Sequence, residues 1–134
     1  WLLEHERMLE EPSLWPYAVP TWIFSHRELP TIPGADLRFV HGDVASVHAR
    51  MASEAGGKDL WLCGGGDLVG QFHDAGLLDE IVVTIAPVTL GKGAPLLPRR
   101  IVSPALRLMD VERHGEVYAV LHYAVTKERG KEVK

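Results

Sequence analysis

Between Cys63 and Asp67 the chain passes from an apolar run into a helical pattern through three consecutive glycines, and no other segment constrains the fold as strongly. Asp59-Leu60-Trp61-Leu62-Cys63 is nearly continuous in apolar character, as a central strand covered on both faces should be. Gly64-Gly65-Gly66 stops it. From Asp67 onward Leu68, Val69, Phe72 and Ala75 recur on one helical face, and Gly76 closes the element. A strand that feeds straight into a helix belongs to an α/β architecture. Glycines at such a junction let backbone approach a ligand closely, while free amides and the dipole at a helix start attract anionic oxygens. A pyrophosphate would suit that environment. A plain tight turn is the alternative, because the segment lacks the Lys-Ser/Thr of a P-loop and Val69 stands where the common dinucleotide fingerprint has its third glycine.

The same grammar recurs on either side. Thr21-Trp22-Ile23-Phe24 is β-branched and aromatic and ends at the polar triplet Ser25-His26-Arg27, which therefore lies beyond a strand's carboxyl end. A proline-rich loop from Glu28 to Asp36 leads to a second strand, Leu37-Arg38-Phe39-Val40. Asp43 is then placed to cap a helix in which Val44, Val47, His48, Met51, Ala52 and Ala55 share a face, with Gly56-Gly57 as its left-handed stop. Ile81 to Ala86 reads as a further buried strand. Strand, helix, strand, helix, strand implies parallel pairing with right-handed crossovers. Leu106 to Arg113 and Glu116 to Thr126 alternate as half-exposed strands around His114-Gly115, which predicts an antiparallel hairpin, and the charged residues Lys127 to Lys134 are expected to fray.

Length and charge narrow the function. The 134 residues suit one domain over 1–134, and a net charge of −4 argues against a phosphate-coating surface, so nucleic acid is not an expected partner. No run approaches the ~18 apolar residues needed to cross a bilayer, and no signal peptide opens the chain. Cys63 is the lone cysteine, which rules out an internal disulfide and points to a reducing, cytoplasmic setting. The seven histidines show no metal-ligand spacing, so no metal is expected. Asp79 and Glu80 precede a strand and are read as a surface turn or ion pair rather than an acid–base pair. Cys63, Trp22 and Trp61 are read as core. Trp1 to Leu9 is helical in pattern from its first residue, without an initiator Met or a capping residue, so the domain is expected to be N-terminally truncated.

Gly64-Gly65-Gly66 followed by Gln71-Phe72, then Leu77-Leu78-Asp79-Glu80-Ile81 and Ala86-Pro87-Val88-Thr89-Leu90-Gly91, resembles the C-terminal reductase domain of bifunctional riboflavin-biosynthesis proteins. The likeness runs along nearly the whole chain and is tightest from Asp59 to Pro98. That domain belongs to the dihydrofolate-reductase-like superfamily. The resemblance implies a central, mostly parallel sheet with flanking helices and a C-terminal antiparallel hairpin, here without its N-terminal strand. It implies NADPH as cofactor, its diphosphate held by Gly64, Gly65, Gly66, Asp67 and Leu68, where relatives often join the glycine pair by a cis peptide. Ser25 and Arg27 match a Ser-Arg region that contacts the adenosine 2′-phosphate in relatives, and a hydroxyl and a guanidinium are apt donors for a dianion. An ordinary solvated charge is the alternative for Arg27. Gly91-Lys92-Gly93 resembles a Gly-x-Gly loop near the substrate side, or is a structural turn.

The function implied is an NADPH-dependent reductase acting on a small molecule, by resemblance the phosphoribosylamino-pyrimidine of riboflavin biosynthesis or the pterin-like or unassigned substrate of a stand-alone relative. No catalytic side chain is singled out. The resemblance also implies a homodimer, with the C-terminal strands at the interface. The rival reading is a noncatalytic dinucleotide-binding or dimerisation module that keeps the phosphate cradle without a substrate pocket.

Overall fold

The computed structural model describes residues 7–127, which fall into two compact units, one running through Val47 and the other starting at His48. Of the opening helix expected over Trp1 to Leu9, residues 1–6 lie outside the described range; α1 spans Arg7–Glu10 and is followed by a 3-10 turn at Pro12–Leu14. Of the tail expected to fray, Lys127 to Lys134, residues 128–134 also lie outside it.

In the first unit, β1 (Thr21–Phe24) and β2 (Leu37–Val40) pair in parallel, with Trp22 opposite Arg38 and Phe24 opposite Val40. Parallel neighbours need a long crossover, and residues 25–36 supply it without a helix. Ile32, only 2% exposed, anchors that crossover. Arg38 fixes the strand ends: it forks onto Asp36 through Nε and Nη2, each at 2.9 Å, and lies 5.1 Å from the Trp22 ring centroid. Asp43 caps α2 (Val44–Ala55), where its Oδ2 accepts the Ser46 amide at 3.0 Å and the Ser46 hydroxyl at 3.1 Å. This is the cap expected from sequence. Gly56 and Gly57 follow at φ 59° and 86°, the left-handed stop. Val44, Val47 and Met51 are buried along α2, whereas Ala52 is exposed.

In the second unit, α3 (Gly66–Asp74) buries Phe72 and Gly70 and is closed by Gly76 at φ 69°. β3 (Glu80–Ile85) pairs antiparallel with β5 (Tyr118–Val125), which pairs antiparallel with β4 (Leu106–His114), giving the order β3-β5-β4. The hairpin expected from sequence is therefore present, and its turn contains Gly115 at φ 62°. Met51, Phe72, Leu78 and Val120 form the buried core of this unit.

Four expectations are corrected. Parallel pairing holds for β1 and β2 but not for β3, whose partner is β5. The chain is mixed α/β with a parallel pair and an antiparallel triplet. Asp59 to Cys63 is not a strand: among the described residues no strand forms a ladder with it, and only Leu60 and Leu62 are half-buried. Trp61 is 76% exposed and Cys63 is exposed, so neither is core. An apolar run shows that a segment can be buried, while a strand also needs a neighbour for its amides. β3 is likewise half-covered rather than buried, with Val82 and Ile85 exposed.

Candidate functional site

Each glycine of the triple-glycine junction has its own environment. Gly64 adopts φ +119°, a region closed to side chains, and is joined to Gly65 by a cis peptide bond. Gly65 is the extended N-cap of α3 (φ −68°, ψ 175°) and offers no side-chain cap. The first intrahelical bond runs from the Val69 amide to the Gly65 carbonyl at 3.2 Å. The amides of Gly66, Asp67 and Leu68 therefore have no acceptor inside the helix. A Cβ built on Gly64 or Gly65 would meet no protein atom within 4 Å, whereas one on Gly66 would lie 2.6 Å from the Leu96 carbonyl oxygen. Two glycines thus leave a cradle open, and the third admits a covering segment. Free donors at a helix start beside open backbone suit an anion such as a diphosphate.

The Asp67 side chain is engaged along the helix. Its Oδ2 accepts Gln71 Nε2 at 3.0 Å, and its Oδ1 lies 3.5 Å from Arg99 Nη1. Arg99 also donates through Nε to Asp74 Oδ2 at 2.8 Å, and this bond holds the Asp74 carboxyl below the usual carboxylate range. Sequence reasoning passed over Arg99 and Gly70. The signal was present: Asp67, Gly70 and Asp74 recur at helical spacing, so two acidic residues flank a bare glycine on one stripe, which is a seat for a cation.

In the other unit, Ser25, His26 and Arg27 follow β1 and line a cavity of about 610 Å³ together with Glu28, Leu29, Phe39 and His41. The Ser25 amide continues the parallel ladder by donating to Val40 O at 3.0 Å. The Ser25 hydroxyl oxygen accepts the Arg27 amide at 3.0 Å, which ties the loop into a local turn. Among the described residues no acceptor is assigned to the Arg27 guanidinium. His26 and His41 lie with ring centroids 6.2 Å apart. The Gly91 to Leu97 loop has Gly91 at φ 71° and meets α3 through Leu96. Asp79 forms an ion pair with Lys127 at 2.7 Å, the surface role expected for it.

The sequence matches the RibD C-terminal domain family over residues 4–120. The chain belongs to that family. Relatives of this RibD C-terminal domain include YwjB of Bacillus subtilis (strain 168), described as uncharacterized, at 33% identity over 85 residues, which are 63% of this chain and 48% of YwjB. Another is YyaP of the same organism, also described as uncharacterized, at 52% identity over 40 residues, 30% of this chain and 21% of YyaP. The chain thus spans about half of one relative and a fifth of the other. The crystal structure of a candidate riboflavin biosynthesis protein from Shewanella sp. PV-4 superposes with a TM-score of 0.71 at 23% identity, covering 93% of this chain and 71% of that one. That likeness bears on the fold. Among the described residues of this RibD C-terminal domain, no helix is long and apolar enough to cross a membrane.

Proposed function

We propose that this RibD C-terminal domain is the dinucleotide-binding part of an NADPH-dependent reductase. The observation that carries the reading is the start of α3, where three amides without helical acceptors adjoin two glycines whose Cβ positions are open. Bound there, NADPH would supply a hydride to the substrate. The residues of the chain bind and orient. The amides of Gly66, Asp67 and Leu68, at the positive end of the α3 dipole, donate to the diphosphate. Gly64 and Gly65 leave it room to approach.

Ser25 and Arg27 carry the second part of the reading on the chemistry of their own loop. The Ser25 hydroxyl shapes the turn, and Arg27 supplies a planar cation with several donors for a 2′-phosphate. The family resemblance supports a substrate of the phosphoribosylamino-pyrimidine class, reduced to its ribityl product, and a homodimeric, cytoplasmic enzyme.

Titration with NADPH and NADH, followed by nicotinamide oxidation in the presence of the pyrimidine, tests the proposal. The chain is expected to bind NADPH more tightly than NADH. Arg27→Ala should weaken NADPH by about tenfold, or about 1.4 kcal/mol, and NADH far less. Equal losses for the two would remove Arg27 from the 2′-phosphate. Binding without oxidation in the full-length protein would favour the noncatalytic module.

A further inference from the structure

An anion cradle with a carboxylate in its first turn poses an electrostatic problem, and the fold of the second unit contains a solution to it. Asp67 is the second residue of α3, so its charge favours the helix but opposes any anion brought to the same amides. Both of its oxygens are engaged, Oδ2 by Gln71 and Oδ1 by Arg99. Arg99 reaches Asp67 from a segment distant in sequence, and its placement is strongly specified. Nη1 donates to the Pro98 carbonyl at 2.9 Å and Nε to Asp74 at 2.8 Å. The guanidinium lies against the Cα of Gly70, where a Cβ would fall 2.7 Å from Cζ and 2.9 Å from Nη1. The same segment rests on the helix start, since a Cβ on Gly66 would also fall 3.1 Å from Pro98 Cδ.

Stability alone does not account for this arrangement. The Asp67 and Asp74 side chains are 71% and 54% exposed, and ion pairs so open to water contribute little to folding. What the contacts do fix is the direction of the Asp67 carboxylate and the presence of a cation next to it, beside the cradle.

We infer that Arg99, seated on Gly70, is a positioning residue for dinucleotide binding: it holds and neutralises Asp67 so that a diphosphate can occupy the start of α3. The inference rests on the proposed NADPH site and deepens it. Arg99 acts through Asp67 and has no assigned contact with the ligand. Gly70 belongs to the same device, because any side chain there displaces the guanidinium.

The test is the NADPH dissociation constant of the chain at low and high salt, measured beside Tm. Arg99→Met and Gly70→Ala should each weaken NADPH about tenfold at low salt with little change in Tm, the first by removing the cation and the second by pushing it away. Asp67→Asn should tighten binding in the wild-type background. Introduced into either variant, it should restore most of the lost affinity. High salt should shrink all these differences, because the repulsion at issue is screened. Wild-type affinity in Arg99→Met, or a loss that Asp67→Asn leaves intact, would overturn the inference while the NADPH site stands. Absence of NADPH binding by the wild-type chain would overturn both.

Discussion

A Cβ built on Gly66 would sit 2.6 Å from a backbone oxygen, whereas one built on Gly65 meets nothing within 4 Å, so adjacent glycines respond oppositely to the same change. Gly65→Ala adds a methyl group at an extended residue that tolerates it, and the unfolded chain loses freedom. Its Tm should change little, because alanine's poorer fit at an N-cap offsets that gain, while NADPH binding weakens about tenfold because the methyl group enters the open cradle. Gly66→Ala forces the Leu96 carbonyl to move. It should cost about 1–3 kcal/mol in denaturant unfolding, the range for overpacking at a site that relaxes partly. A Gly65→Ala protein with unchanged NADPH affinity would remove the diphosphate from this junction. The three glycines were legible in sequence, but their separate roles were not. Which of them faces Leu96 and which faces open space depends on contacts formed by residues thirty positions away. Arg99 was hidden for the same reason, although its seat at Gly70 was written into the acidic stripe of α3.

At the scale of elements, α2 carries its own test. Hydrogen bonds from the Ser46 amide and hydroxyl hold the Asp43 carboxyl below the ordinary aspartate range. A carboxyl depressed in the folded state contributes stability that is fully present above the unfolded value, and that stability is lost as pH falls through the folded one. Asp43 should therefore steepen the acid limb of the stability profile below about pH 4. Asp43→Asn keeps an effective cap, so Tm near neutrality should change little while that part of the acid slope disappears. Asp43→Ala should lower Tm at neutral pH as well, and thermal melts across the acid range would separate the two. An unchanged slope in Asp43→Asn would show that the cap carries no pH dependence.

The legible elements were those whose signals are local. The cap, the 3.6-residue period of α2 and the Gly56-Gly57 stop lie within one short segment, and the β4–β5 hairpin shows its alternation around a left-handed glycine. Asp59 to Cys63 and the direction of β3 were misread because pairing depends on a neighbour that the run itself does not name. The irregularity between Leu108 and Asp110 was equally silent in sequence. It consumes one residue, so that Leu108 opposite Tyr123 and Val111 opposite Leu121 share a face despite their odd spacing.

That shared face sets the expectation for the whole molecule. Ile81, Val83 and Ile85 pair with Tyr123, Leu121 and Ala119, so they continue the same surface across all three strands. Ile85, Leu108 and Val111 on it are each half exposed or more. The face is mostly apolar, with Arg113 opposite Ala119 at one end; monomers rarely leave large apolar patches open, and a stable dimer needs about 800 Å² from each partner. The homodimer proposed for this chain is best placed here, with β4 and β5 of two copies facing one another. Light scattering should then return twice the chain mass. Val111→Lys should return the single mass with the hairpin intact by circular dichroism, because among the described residues paired across this face there is no acidic side chain to offset a desolvated charge. A control charge at Val82, on the opposite face of β3, should leave the dimer in place. If the wild-type chain scatters as a monomer, the homodimer is excluded; if Val82→Lys dissociates it and Val111→Lys does not, the interface lies on the other face of the sheet.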